Sequence, residues 1–154
     1  MKSAPIFLEN YFVTELTLTA NKDFDPEKGP DVDFSSFKVI PTYLSDAKDR
    51  RHWQVTLRVQ HQPGPEAPSP YAFALELAGF FVVHPTVPDD VIDRIVKTNG
   101  ASMLYGAARE IIRSLTGQAP FGQVILPSIS FYEPRSAAET EAIEPSTLPA
   151  ASTE

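Results

Sequence analysis

The residues able to do chemistry are few in this 154-residue chain: three histidines, one aspartate pair and one Arg-Glu pair. His52 and His61 fall at the two ends of one alternating segment. At 3.3 Å per residue they stand about 30 Å apart, too far to share a metal ion. His84 precedes Pro85 at the end of another extended run and reads as a surface residue. Asp89-Asp90 sits where a helix N-terminus attracts negative charge in any case. Arg109 and Glu110 are neighbours in sequence, so on a helix they point in different directions; a structural salt bridge from Arg109, in the neighbourhood of Arg113 or to a carboxylate on another element, is expected. There is no cysteine, hence no disulfide and no thiolate site. No HExxH, no GxSxG and no phosphate-cradling glycine loop occurs. Neither an enzyme nor a cofactor or metal is expected.

The elements around these residues are more informative. Residues 99–131 read as an amphipathic helix, a tight break and an extended apolar segment. Leu104, Ala107, Ala108, Ile111, Ile112 and Leu115 recur at steps of three and four, the spacing of one helix face. Asn99-Gly100 suits a turn before that helix, Ser102 its first-turn cap, and Gly117 a left-handed end. Pro120 and Pro127 bracket the apolar run 121–126. Small residues at Gly106, Ala107 and Ala108 would let another helix or sheet approach closely.

Upstream, residues 6–20 predict a strand with Phe12, Leu16 and Leu18 on one face and the other face solvated. A loop rich in Asp, Pro and Gly follows, carrying Phe24 and Phe34. Residues 37–44 are extended but broken by Pro41, which suits an edge strand. Residues 52–61 alternate cleanly, with Trp53, Val55, Leu57 and Val59 on one side. After a proline-rich loop, residues 71–83 form a long strand with Phe73, Leu75 and Leu77 facing in. Gly79 marks a bulge or a close backbone approach. Beyond it both faces are apolar, which points to a second cover, such as another copy of the chain. A short helix over residues 88–98 ends at Asn99-Gly100. Strands first and helices afterwards predict an α+β fold: a four-stranded antiparallel sheet with helices on one face.

At 42% hydrophobic and 21% charged the chain is an ordinary globular sequence, long enough for one core. Residues 1–134 are assigned to that domain. Residues 135–154 read as an acidic, Pro-containing, largely disordered tail with a brief helix over 136–143. The apolar run 6–8 is too short for a signal peptide or a membrane span, so a cytoplasmic protein without membrane insertion is expected. A net charge of −7 repels nucleic acid but not a cationic or unfolded polypeptide.

Several segments in a fixed order are familiar. Ala78-Gly79-Phe80-Phe81 closes one strand. Leu104, Tyr105 and Ala108-Arg109-Glu110 follow on the helix. Phe121, Gln123, Val124, Leu126, Ile129 and Phe131 then match an F-x-Q-hydrophobic-x-L segment with a closing aromatic. Leu57-Arg58-Val59 adds a fainter match. Over roughly 80 residues this resembles the protein-export chaperone SecB and SecB-like chaperones.

The resemblance implies a dimer of dimers with the main helices between two sheets. It implies an ATP-independent holdase, one that binds unfolded precursors and delivers them to the Sec translocation motor SecA. Leu104, Ala107, Ala108 and Ile111 are the expected oligomer contacts, and Glu15 matches one acidic SecA-facing position. Thr19 and Ala74 stand where carboxylates are expected, and Gly106 and Ala107 replace the family's Pro and Tyr. A dedicated partner chaperone, associated with an antitoxin or a phage, is therefore the alternative. A holdase needs an apolar groove with spare polar edges. Phe24, Phe34, Phe37 and Tyr43 are candidates for its lining, with Tyr105 and Phe121 from the helix side.

Overall fold

The computed structural model describes residues 3–28, 34–64 and 69–133. The assigned tail and its brief helix lie outside them. Four strands, β1 (Ile6–Ala20), β2 (Phe37–Ser45), β3 (His52–His61) and β4 (Tyr71–Val83), form one antiparallel sheet in the order β1-β4-β3-β2. The helices, α1 (Ile92–Ile95) and α2 (Ala101–Thr116), pack on one face. The α+β architecture read from the sequence is the observed one.

The core lies between that face and the helices. Val55, Leu57 and Val59 of β3 pair with Gly79, Leu77 and Leu75 of β4, and all six are buried. Leu104, Ala108 and Ile112 cover them from α2. At Gly79 the helix comes closest. A Cβ there would lie 2.7 Å from the Leu104 side chain, so only glycine fits this crossing without a shift. Close approach, and not a bulge in β4, is what this glycine serves.

The expected turn at Asn99-Gly100 is absent. The helix runs on through a π-helical turn, Val96–Gly100, and Gly100 has ordinary right-handed angles. Val96 and Ala101 are both fully buried, five residues apart. A regular helix would rotate one of them off the core. The i→i+5 turn absorbs the extra residue and keeps one apolar stripe facing the sheet. Gly100 belongs there because a Cβ would crowd the Val55 side chain at 3.3 Å. Ser102 consequently caps nothing; its hydroxyl donates back to Thr98 O at 2.6 Å. Gly117 also stays right-handed, and among the described residues the glycine with positive φ is Gly122, at 81°.

The strand β1 corrects a second expectation. Register shifts between Leu8 and Asn10 and between Val13 and Glu15 insert extra residues. The second bulge turns the strand over. Phe12 lies opposite Ala78 on the outer face, whereas Leu16 and Leu18 lie opposite Leu75 and Phe73 on the helix side. One face of β1 is therefore not simply solvated while the other is buried.

Candidate polypeptide-binding surfaces

After α2 the chain doubles back along one flank of the helix. The Val124 amide donates to the Thr116 hydroxyl at 2.8 Å, and the Tyr105 hydroxyl donates to Pro127 O at 2.6 Å. Val124 and Leu126 are buried, while Ile125 and Ile129 between and beyond them point outward. The apolar run 121–126 is thus extended, yet it joins no strand of the sheet. Tyr105 is itself buried, and burial pushes its phenol pKa up, so it remains a neutral donor.

Four of the six aromatic residues expected to line a groove, Phe24, Phe34, Phe37 and Phe121, fall into two clusters at one end of the sheet. In the first, Phe24 meets Phe121 edge-on at 5.0 Å between centroids, with Tyr71 at 6.0 Å from Phe121. The Tyr71 hydroxyl joins the same loop, donating to Gly122 O and accepting from the Phe121 amide, each at 2.9 Å. In the second, Phe34 lies 5.7 Å from Phe37 and 6.0 Å from His61, whose ring is tilted against Phe73 at 5.6 Å. His61 is buried, with Ser36 Oγ 3.0 Å from its Nδ1 and Ser69 Oγ 2.9 Å from its Nε2. Phe24, Phe34, Phe37 and Phe121 are half-buried. Tyr43 sits near the other end of β2, its hydroxyl donating to Lys97 O at 3.1 Å; burial first, then Glu133, raise its pKa.

The residues expected at a copy-to-copy contact divide. Leu104 and Ala108 are fully buried against their own sheet, leaving Ala107 and Ile111 half-buried on the flank opposite the returning segment. Gly106 is exposed and a Cβ on it would touch nothing. Close approach within the chain therefore depends on Gly79 and Gly100, not on Gly106. Nor does Arg109 form its expected salt bridge. Among the described residues it has no carboxylate partner, and its Nε is buried without an acceptor. Glu110 pairs with Arg113 instead, at 2.6 Å.

Far more open are side chains that sequence reasoning passed over. On the helix side of β1, Tyr11, Val13 and Leu16 are 39%, 46% and 43% exposed although their strand neighbours Gly79, Leu77 and Leu75 are buried. On the outer face Phe7, Phe12, Ile40, Leu44 and Phe80 are open. The available signal was apolar residues at both parities in residues 6–20 and at Phe80-Phe81.

The outer face has a charged centre. Arg58 grips Glu15 through both nitrogens at 2.5 and 3.1 Å and lies 3.5 Å from Glu76. The Arg58 hydrogen bonds hold the Glu15 carboxyl below its ordinary value. Thr19 is exposed and Ala74 is buried among its neighbours. Among the described residues no three His, Asp or Glu side chains gather to hold a metal ion, and no helix is long and apolar enough to cross a membrane.

Residues 5–136 match the family model described as SecB, preprotein translocase subunit SecB. Among solved structures, the Mycobacterium tuberculosis SecB-like chaperone, in complex with a ChAD peptide from the HigA1 antitoxin, superimposes with a TM-score of 0.61. It is 17% identical over 85% of this chain and 94% of that one. A Streptococcus agalactiae protein of unknown function gives 0.49 at 14% identity, over 80% of this chain and 97% of that one. No curated protein matches the chain.

Proposed function

The chain belongs to the SecB family, and from that premise we propose that it is an ATP-independent holdase chaperone for unfolded polypeptides. The observation that carries this reading is the quantity of large apolar side chains left open on a small, otherwise well-packed domain. Two surfaces divide the work. The open helix side of β1, with Ala107 and Ile111, joins copies into a dimer of dimers. The half-buried rings of Phe24, Phe34, Phe37, Tyr43 and Phe121, together with Tyr105, hold client chains. Unfolded chains offer apolar side chains and unpaired backbone to such a surface. The acidity of the protein keeps loaded complexes in solution and favours basic client segments.

In the export reading the protein works in the cytoplasm and hands precursors to SecA. A second reading, a dedicated partner chaperone, is favoured by one observation: Arg58 already occupies Glu15, and no carboxylate stands at Thr19 or Ala74. The solved neighbour that holds an antitoxin peptide supports the same direction. The test is suppression of aggregation of a chemically denatured client without nucleotide. Absence of suppression at stoichiometric protein would reject the holdase. Purified SecA then separates the two readings: saturable binding supports export, and none supports a dedicated partner.

A further inference from the structure

The π turn Val96–Gly100 has a second consequence besides keeping the apolar stripe on the sheet. In a regular helix, Asn99 would point about 140° away from Arg94, five residues earlier. The wider turn brings Thr98 and Asn99 round to the side of Arg94 and Ile95. These four residues and Tyr132, from the end of the returning segment, line one depression of about 490 Å³.

Arg94 and Tyr132 are exposed, and Ile95, Thr98 and Asn99 are half-buried. Among the described residues, none of the four polar side chains has a hydrogen-bond or ion-pair partner. Asp93 is held by Lys97 at 3.6 Å, and Asp90, one turn before Arg94, forms no ion pair with it. No carboxylate lines the depression, in a chain whose net charge is −7. Glu133 follows Tyr132 but is not among the lining residues; its charge acts on Tyr43.

The donors define the ligand. Arg94 offers a planar fork, Asn99 an amide, and Thr98 and Tyr132 hydroxyls, so an oxyanion can be met from several sides. Ile95 and the Tyr132 ring offer apolar contact to the stem that carries it. The space is more than a bare carboxylate fills and suits a glutamate side chain with its neighbours. The same turn touches the client rings, because the Tyr43 hydroxyl donates to Lys97 O at 3.1 Å.

We propose that this depression is an anion subsite for bound polypeptide, taking the carboxylate side chain of a client segment whose apolar residues lie on the Tyr43 side. This role rests on the client-binding function proposed above and adds selectivity to it. An acidic protein that favours basic segments accepts an acidic residue at one fixed point, which sets the register of the client. The chain's own continuation is a poorer occupant, since Arg135 comes before any of the four glutamates in residues 134–154.

The probes are two fluorescein-labelled Gly-Ser peptides with the same pair of phenylalanines, one followed by glutamate and the other by glutamine. The full chain should bind both, the glutamate peptide about fivefold more tightly, with the difference shrinking as salt rises. Arg94→Gln should abolish the preference, and Arg94→Glu should reverse it in favour of a lysine peptide. Asn99→Ala should reduce it about twofold. Lys97→Gln, which removes a cation of the same turn already held by Asp93, should leave it unchanged. Equal binding of the two peptides, or a preference retained in Arg94→Gln, overturns the subsite and leaves the holdase standing. Binding of neither peptide overturns the client-binding function and the subsite with it. A fall in native mass on Arg94→Glu would assign the depression to a second copy. A gain in glutamate-peptide affinity on Glu139→Gln with Glu141→Gln would assign it to the chain's own continuation. Either result overturns the proposal.

Discussion

The two edge strands of this sheet are built in opposite ways. The outer strand β2 is nine residues long, has Pro41 at its centre, and keeps its helix-side residues Phe37, Val39 and Tyr43 half-buried. A proline and a short length blunt an edge against pairing. The other edge, β1, is fifteen residues long and lacks proline. It presents apolar side chains on both faces beside an unpaired row of backbone groups. Its two bulges bend it locally but do not cover it. On the function proposed above, such an edge meets another copy of the chain, while the blunted edge can stand beside solvent or a transient ligand. That asymmetry is the physical case for assigning copy-to-copy contact to β1 and the client contact of Phe34, Phe37 and Tyr43 to the β2 side.

The largest expected effect is on assembly. Val13→Glu with Leu16→Glu should reduce the native mass to the single chain, 17.0 kDa, with the circular dichroism spectrum retained, whereas Ile40→Glu on the other edge leaves the mass unchanged. Sedimentation velocity decides, and an unchanged assembly in the double variant removes the asymmetry. Next comes Gly79→Ala. The added methyl meets Leu104 at 2.7 Å and should cost about 1–3 kcal/mol by overpacking, read from urea unfolding.

On the β2 side, Phe37→Ala should weaken binding of a denatured client by roughly tenfold and leave the oligomer intact. Loss of the oligomer instead would place that ring at the wrong edge of the comparison. Tyr105→Phe removes the hydrogen bond to Pro127 O and should cost about 1 kcal/mol, with faster hydrogen exchange along residues 123–131.

The smallest effect concerns pH. The Arg58 hydrogen bonds depress the Glu15 pKa below its ordinary 4.5. Its contribution to stability is therefore present above that value and is lost as pH falls through the lower, folded value. A carboxyl-carbon titration should find Glu15 below 4.5, and Arg58→Gln should return it upward; no movement would mean the pair is not formed in solution.

Residues 52–61 were legible as a strand because they alternate on a half-buried surface, residues 71–83 because Phe73, Leu75 and Leu77 recur at every second position before an apolar end, and residues 104–115 because three-and-four spacing survives any context. The break at Asn99-Gly100 was misread for a definite reason. That dipeptide does favour turns, but Val96, Gly100 and Ala101 are all buried, and covering the sheet outweighed local preference. Phe12 was placed on the wrong face because a one-residue bulge inverts parity and leaves no mark in composition. Arg109 was given a salt bridge on the strength of its charge, although only the folded helix shows which groups come near it.

Alternation and helical spacing by themselves determined the class of fold, the strand count and most of the core, and a few matched segments in their order carried the family likeness. These are properties of short stretches, repeated wherever the chain meets the same demand for burial. Exposure was decided by the tertiary structure alone. A phenylalanine in a strand reads alike whether a helix covers it or not. Whether Phe81 is sealed while Phe80, one residue earlier, stands open depends on which face the helix takes and where the bulges turn the edge.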